Sequence, residues 1–290
     1  NSQFPIISHS CQILSASKSL LISRYGPGAV PWSQCVGRED DEPMGRLNRV
    51  LALLEAFADG SSVLSAEQIC ARTQNPTATG YRHIRDLCEA GLLVRLPHGY
   101  APGPRIIEWD YMVRSNDPLL LASREPAEQL VADTGLELLL SQLYGERIVN
   151  VHYQHSDANP VLALGRGRVV PLFRGSTSRV ILAELPARQL RKIYEAHHAE
   201  PECLAIGADW KQFGKALAEV RKRGYAVSSG ELFPGRVGYA APVFAEKGHV
   251  LGSLTLIGST ARLDAFREDY IAQRVVATAD EITRRLSLQT

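Results

Sequence analysis

The sequence predicts an α+β protein, with an N-terminal winged helix-turn-helix joined by a linker helix to a domain built on an antiparallel sheet. Three observations carry the prediction. Residues 65–100, SAEQICARTQNPTATGYRHIRDLCEAGLLVRLPHGY, read as two short helices around an Asn-Pro turn, followed by a hairpin. From residue 136 onward the apolar spacing changes from helical to strand-like. The later strands come as hairpins with helices between the groups, which favours an antiparallel sheet over a doubly wound parallel one.

Residues 1–43 mix Pro, Gly, Ser and an acidic run from Glu39 to Glu42 without any period, and are read as a disordered extension. Met44 immediately precedes the first periodic helix, so this extension is taken as partly an artefact of start-site assignment. The apolar stretch at residues 20–22 is too short for a secretory signal. Leu47, Val50, Leu51, Leu54 and Phe57 then form one helical stripe that ends near Asp59 and Gly60.

Ser65 with Gln68 is a capping box, and its helix runs to about Thr73. Asn75 is the expected N-cap of the next helix, with Pro76 at its first position. Along that helix Gly80, Ile84, Leu87 and Cys88 make a core face, while Thr79, Arg82, Arg85 and Asp86 face away with Tyr81 on the margin. Gly91 closes the helix. Residues 92–96, a tip at Pro97, His98 and Gly99, and a return at Tyr100 form the wing. A module of this kind lays its second helix in the major groove of double-stranded DNA.

Charge alone does not decide for DNA. Between residues 44 and 105, Arg46, Arg49, Arg72, Arg82, Arg85, Arg95 and Arg105 oppose Glu55, Asp59, Glu67, Asp86 and Glu89. The excess is small, but every cation is an arginine, which forks onto phosphate and guanine better than lysine. Over all 290 residues the net charge is +1, so contact with nucleic acid must be local. The DNA-contacting candidates are Arg46 and Arg49 on the first helix, Thr77, Thr79, Tyr81, Arg82 and Arg85 on the second helix of the motif, and His98 at the wing tip. Arg46 and Arg49 read equally well as solvated surface arginines.

The five cysteines, Cys11, Cys35, Cys70, Cys88 and Cys203, are odd in number and lack CxxC or Cys/His ligand spacing, as expected of a protein in a reducing cytoplasm. No apolar run approaches the roughly 20 residues of a membrane-spanning helix, so no membrane partner is expected.

Residues 104–114, PRIIEWDYMVR, form a linker helix that is apolar nearly all round. Such a helix wants cover on several sides, and packing on a partner protomer would give a two-fold dimer suited to a palindromic operator. Asp117 and Pro118 cap a helix that Gly135 stops near Thr134, with a kink expected at Pro126. Strands are expected at residues 136–143 and 147–154 around a Tyr144-Gly145-Glu146 turn, then at 161–164 and 169–170. Helices follow at 178–185, 186–197 and 209–223. Strands return at 225–228, 238–245 and 250–257, the last two joined at 246–248, and one final helix spans 264–286. The predicted division is thus an extension (1–43), a winged helix-turn-helix (44–103), a linker helix (104–117) and a sheet domain (118–290).

RLNRVLALLEAFAD, NPTATGYRHIRDLCEAGLL, YAPGPRIIEW, VVPLFRGSTSRVILAELP, RGYAVSSGELFPGRVGYAAPVF and GSLTLIGST, in this order and spacing, resemble regulators of the IclR family, the isocitrate lyase regulators of bacteria. The resemblance covers about residues 45–287. It implies a bacterial transcription factor whose sheet domain is GAF-like and binds a small metabolite. It also implies assembly as a homodimer or tetramer, and repression or activation of catabolic operons. In the family, the helix matching residues 76–90 reads the major groove, with Thr79, Tyr81 and Arg82 at contacting positions. Thr77 and Ala78 stand where lysine and serine are usual, and Gly80 where a branched apolar residue is. The effector site carried over residue by residue is Ser176, Thr177 and Ser178 at a helix start, Ser228 and Gly238, then Thr255 and Ile257 on the last strand. Small hydroxyl residues at a helix start offer free N–H groups to a carboxylate. Members that bind small oxoacids carry an acid, a cysteine and a serine at positions 228, 238 and 257. A larger or more apolar organic acid, an aromatic one included, is therefore the expected effector.

Other chemistry is set aside. His152 and His155, three apart on a strand, fall on opposite faces and make no metal pair. His197 and His198 end a helix and are expected to meet its last carbonyls. Gly165-Arg166-Gly167 lacks the context of a phosphate loop and reads as a turn, with Arg166 or Arg168 as a second candidate for an anionic effector. The Ser176-Thr177-Ser178 run has no base with an orienting acid, so neither catalysis nor a cofactor is expected. The rival reading is a metabolite-binding or catalytic GAF-like protein whose helix-turn-helix only dimerises.

Overall fold

The computed structural model describes residues 45–155, 165–245 and 248–288, which form two compact units divided between Met112 and Val113. The extension predicted at 1–43, the strand at 161–164 and most of the turn at 246–248 lie outside the described residues.

In the first unit, α1 (Arg46–Leu51) runs directly into a 3-10 turn (Ala52–Phe57). The predicted capping box opens α2 (Ala66–Arg72). The Gln68 amide donates to Ser65 Oγ at 3.3 Å, and the Ser65 amide donates to Gln68 Oε1 at 2.8 Å. The next helix, α3 (Thr77–Glu89), departs from expectation at its start. Pro76 holds the cap position, because the Asn75 side chain is turned back to donate to the Thr73 carbonyl and hydroxyl at 3.3 and 3.0 Å. Its end is the predicted glycine stop. Gly91 adopts a φ of 73°, and the Gly91 and Leu92 amides donate to the Cys88 and Leu87 carbonyls at 3.0 and 2.9 Å.

The wing strands β1 (Leu93–Leu96) and β2 (Gly99–Pro102) pair antiparallel around Pro97-His98, and Leu64 bridges Tyr100 as a third edge. Gly99 has no substitute here, since a Cβ would stand 2.5 Å from the Leu64 carbonyl oxygen. Leu53, Ile69, Ile84, Leu87 and Leu93 fill the core of this unit. His83, which the spacing had left unassigned, is buried beside Ile84. α4 (Pro104–Asn116) follows and buries none of its residues.

In the second unit, α5 (Pro118–Thr134) is capped by the Asp117 carboxylate, which accepts from the Leu119 and Leu120 amides at 2.8 and 3.4 Å, and ends at Gly135 with φ 62°. Among the described residues six strands follow: β3 (Glu137–Tyr144), β4 (Arg147–Gln154), β5 (Val169–Val170), β6 (Ala226–Ser229), β7 (Arg236–Phe244) and β8 (Val250–Ser259). They form one antiparallel sheet in the order β5-β4-β3-β8-β7-β6. Between β5 and β6 lie α6 (Gly175–Glu184), α7 (Ala187–His197), α8 (Pro201–Ile206) and α9 (Trp210–Arg223).

Two differences from the sequence reading concern helices. The short α8 was not expected; Pro201 starts it and Cys203 anchors it in the core. The final helix, expected from about residue 264, begins at Glu268 as α11 (Glu268–Ser287), and a short α10 (Thr260–Leu263), capped by Ser259, precedes it. His198 does meet a helix carbonyl, that of Glu195 at 3.0 Å, whereas His197 pairs with Glu200 at 2.7 Å.

Alternation along the strands sorts the sheet into two faces. Leu138, Leu140, Tyr239, Leu254 and Leu256 pack with α5 and α11 in one core. On the other side, Ile148 and Ala240 pack with α6, α7 and α9 around Ile181, Ile193 and Phe213. On β3 and β8 this second face is polar in its middle, where Ser141, Ser253 and Thr255 are all buried.

Candidate functional site

The exposed side of α3 gathers most of the predicted DNA-contacting residues. Thr77, Tyr81, Arg82 and Arg85 are exposed and Thr79 is half-buried; Arg49 on α1 and His98 at the wing tip are also exposed. Arg85 is paired to Glu89 one turn on at 3.6 Å. Arg82 has no ion-pair partner among the described residues. Tyr81 is held from α2, where its hydroxyl donates to one oxygen of Glu67 while Ser65 Oγ donates to the other at 2.7 Å. Those two donors bring the Glu67 carboxyl down to about 2, and the bond to Glu67 raises the Tyr81 phenol. Arg72, which shares the region, is instead structural. It bonds the Ala56 carbonyl and Asp59, both at 2.8 Å.

The second constellation lies under the start of α6. Ser228, Gly238 and Ile257 are cross-strand neighbours on β6, β7 and β8, and Glu137 on β3 completes that row. Ser228 Oγ donates to Ser176 Oγ at 3.2 Å, and a Cβ on Gly238 would stand 3.1 Å from the same Ser176 oxygen. The Thr177 and Thr255 hydroxyls share a hydrogen bond of 2.8 Å. Four hydroxyls from three elements thus converge beside the bare backbone of Gly238, with Ser176 and Thr177 only 2% and 5% exposed.

Ser178 does not join them. It turns away to donate to the Pro171 carbonyl at 2.5 Å. Nor does Arg166 face the clamp, since its guanidinium bonds the Val151 carbonyl on β4. Ile257 adjoins the clamp and packs with Leu139, Tyr153 and Phe233 in an apolar cluster separate from the two main cores. At the edge of that cluster the Tyr153 hydroxyl donates to Glu137 Oε2 at 2.8 Å, and Arg236 pairs with Oε1.

This arrangement suits an anion with an apolar body. The cap residue Arg174 makes no side-chain cap on α6, and the Gly175 amide at its start donates to the Glu231 carboxylate at 3.1 Å, so the positive end of the helix dipole lies next to the hydroxyls and already holds one carboxylate. Several residues of the site were missed by sequence reasoning. Ser253 was visible in principle, since it alternates with Thr255 and Ile257; its hydroxyl is buried with no hydrogen-bond partner among the described residues. Leu139, Tyr153 and Glu137 share the face through register, which a single sequence does not reveal. Arg179 and Glu231 form an ion pair at the lip, 2.6 and 2.9 Å between their two pairs of atoms.

Residues 113–284 match the family model for the C-terminal domain of bacterial IclR transcriptional regulators, and residues 47–97 match the IclR helix-turn-helix domain. The chain belongs to the IclR family. Similar regulators include KipR of Bacillus subtilis, 25% identical over 241 residues that span 81% of this chain and 94% of the relative. The Pca regulon regulatory protein of Pseudomonas putida is 22% identical over 225 residues, 77% of each chain. Two solved structures share the fold at a TM-score of 0.69, with 21% identity over 84% of this chain and 100% of theirs. One is an IclR regulator from Alicyclobacillus acidocaldarius, and the other an IclR homolog from Microbacterium hydrocarbonoxydans complexed with 4-hydroxybenzoate. As an IclR-family protein the chain is a DNA-binding transcriptional regulator with an effector-binding domain, and its relatives are named as regulators, not as enzymes.

Proposed function

We propose that this IclR-family regulator reads double-stranded operator DNA with α3 and the wing, and that an aromatic or comparably apolar carboxylic acid in the α6 clamp sets its operator affinity. The observation that carries the acid reading is the convergence of Ser176, Thr177, Ser228 and Thr255 at the start of α6, where a carboxylate already meets the Gly175 amide, directly beside the Ile257 cluster. The hydroxyls and amides suit a carboxylate; Leu139, Ile257, Tyr153 and Phe233 suit a ring. The 4-hydroxybenzoate bound by the Microbacterium homolog supports an acid of this size.

Calorimetry with benzoate, 4-hydroxybenzoate, glyoxylate and pyruvate tests the reading. Aromatic acids are expected to bind more tightly. Much tighter binding of glyoxylate or pyruvate refutes the aromatic preference.

On the DNA side, Arg82 is the side chain proposed to reach base edges, with Thr77, Thr79, Tyr81 and Arg85 around it, and Arg49 and His98 at phosphates; the side chain of Arg46, the other predicted contact, lies outside the described residues. Arg82→Ala should weaken operator binding by roughly 1–3 kcal/mol, and binding should fall steeply with salt. An undiminished, salt-insensitive gel shift would count against it.

The regulator is further proposed to work as a homodimer or tetramer at the bacterial nucleoid, with α4 as the interface between protomers. Ile107, Tyr111 and Met112 line a shallow apolar recess of about 540 Å³ with Pro104 and Glu108. Effector binding would bias the DNA-binding state by about 1–3 kcal/mol. Operator affinity that stays constant through a full effector titration would remove that coupling.

A further inference from the structure

The turn between β6 and β7 runs from Gly230 to Gly235 and touches both ends of the effector site. Glu231 accepts from the Gly175 amide at 3.1 Å and from Arg179 through both carboxylate oxygens, and Arg174 donates to its backbone carbonyl. Leu232 lies where a Cβ on Gly175 would meet it at 3.0 Å. Phe233 packs into the Ile257 cluster. Three consecutive residues therefore strap the clamp from the first residue of α6 to its apolar end. The glycines at the two ends of the strap have φ of 67° and 72°, with nothing within 4 Å of where a Cβ would stand. Both ends have room and conformational freedom to swing.

We infer that Glu231 is a tethered stand-in for the effector's carboxylate, and that a bound acid takes its place on Arg179 and releases the strap. The inference rests on the acid reading of the clamp. Its first ground is access, since Ser176 and Thr177 are nearly inaccessible while the strap sits on the neighbouring Gly175. The second is chemistry. Arg179 lies one helical turn beyond Ser176, and long helical side chains lean back toward the N-terminus. Its guanidinium thus stands beside the clamp in the planar two-bond geometry that any carboxylate can adopt. Glu231 shows that a carboxylate fits there, and two carboxylates cannot share one fork. An acid would gain Arg179 at the expense of Glu231 and shift the strap toward its open state. A neutral ligand of the same shape would leave the ion pair intact, which makes Glu231 and Arg179 the residues that select for charge.

The test compares Glu231→Gln with Arg179→Gln. Both break the same ion pair, and both side chains are about a quarter exposed, at 28% and 27%. Benzoate and benzamide are titrated by calorimetry, and hydrogen exchange is followed at residues 231–235 in the absence of ligand. Both substitutions are expected to quicken exchange in the strap. Glu231→Gln should tighten benzoate roughly tenfold by removing the competitor, and Arg179→Gln should weaken it roughly tenfold, with benzamide unmoved by either. Opposite signs are the signature of exchange. Effects of the same sign on benzoate mean that the pair is only structural and overturn the inference, as does unchanged strap exchange in Glu231→Gln. Quickened exchange with no binding of benzoate or 4-hydroxybenzoate to any of the three proteins sinks the acid reading, and the stand-in role of Glu231 falls with it.

Discussion

The sulfur of Cys70 on α2 occupies the notch that Gly80 opens on α3, and a Cβ on Gly80 would overlap it. Position 80 therefore governs how the two helices of the DNA-binding motif cross, and it does not face an operator. An interior helical glycine sacrifices roughly 0.5–1 kcal/mol relative to alanine. Overpacking a close contact costs more, about 1–3 kcal/mol. Gly80→Val should accordingly lower the thermal midpoint of the first unit, whereas Cys70→Ala with Gly80→Ala should restore it. A Gly80→Val protein that melts like wild type would show that the sulfur yields freely.

The hydrogen bond from Tyr81 to Glu67 gives a pH signature. Glu67 titrates at about 2, below its usual 4.5, because the Tyr81 and Ser65 hydroxyls donate to its carboxylate. A depressed carboxyl contributes fully above its unfolded value, and that contribution is lost as pH falls toward the folded one. Tyr81 is raised above 10 by the same bond, so its contribution is complete below 10 and fades as alkaline pH ionises the phenol. Glu67→Gln should return Tyr81 toward 10 without moving the other tyrosines, as read from ring carbon shifts in NMR. An unmoved Tyr81 would mean that the two side chains do not meet in solution.

What the sequence could and could not reveal divides along a physical line. Ser65 with Gln68, Asp117 with Pro118, and the glycines at 91 and 135 act within a few residues, and each forms the cap or stop that local pattern predicts. Asn75 does not cap α3 because its side-chain amide is turned back to donate to Thr73, away from the helix amides it would have to accept from. The last helix starts four residues later than the pattern from 264 suggests, and the one-turn helix before it is too short to leave a period in the sequence. In the proposed effector site, the hydroxyl residues came from the family pattern. Glu137, Arg179, Glu231 and Phe233 did not, because strand register and a long-range ion pair bring them there. Ser178 looked equivalent to Ser176, yet the helical rotation between them sends its hydroxyl to Pro171.

Gly238 offers a direct test of the clamp. A Cβ there would stand 3.1 Å from Ser176 Oγ, 3.5 Å from Ser228 Oγ and 3.6 Å from Thr255 Cγ2, so a side chain would fill the space between the hydroxyls. A β-branched residue otherwise suits a strand, and the fold should survive Gly238→Val. Acid binding should fall roughly tenfold or more while operator binding without effector persists. Unaltered calorimetry with benzoate would place the ligand elsewhere.

The interface proposed for α4 has a measurable consequence because Ile107 and Tyr111 belong to no core cluster among the described residues. Ile107 and Tyr111 are 74% and 72% exposed. Replacing either by glutamate therefore removes no core contact, and the stability of an isolated protomer should change by less than about 0.5 kcal/mol. A dimer that buries both faces would lose much more, since each side chain contributes roughly 1.5–3 kcal/mol when taken fully from water. Sedimentation equilibrium of Ile107→Glu with Tyr111→Glu should show a lower mass than wild type, and half-operator binding should outlast binding to the full palindrome. An unchanged sedimentation mass would exclude this helix as the contact between protomers.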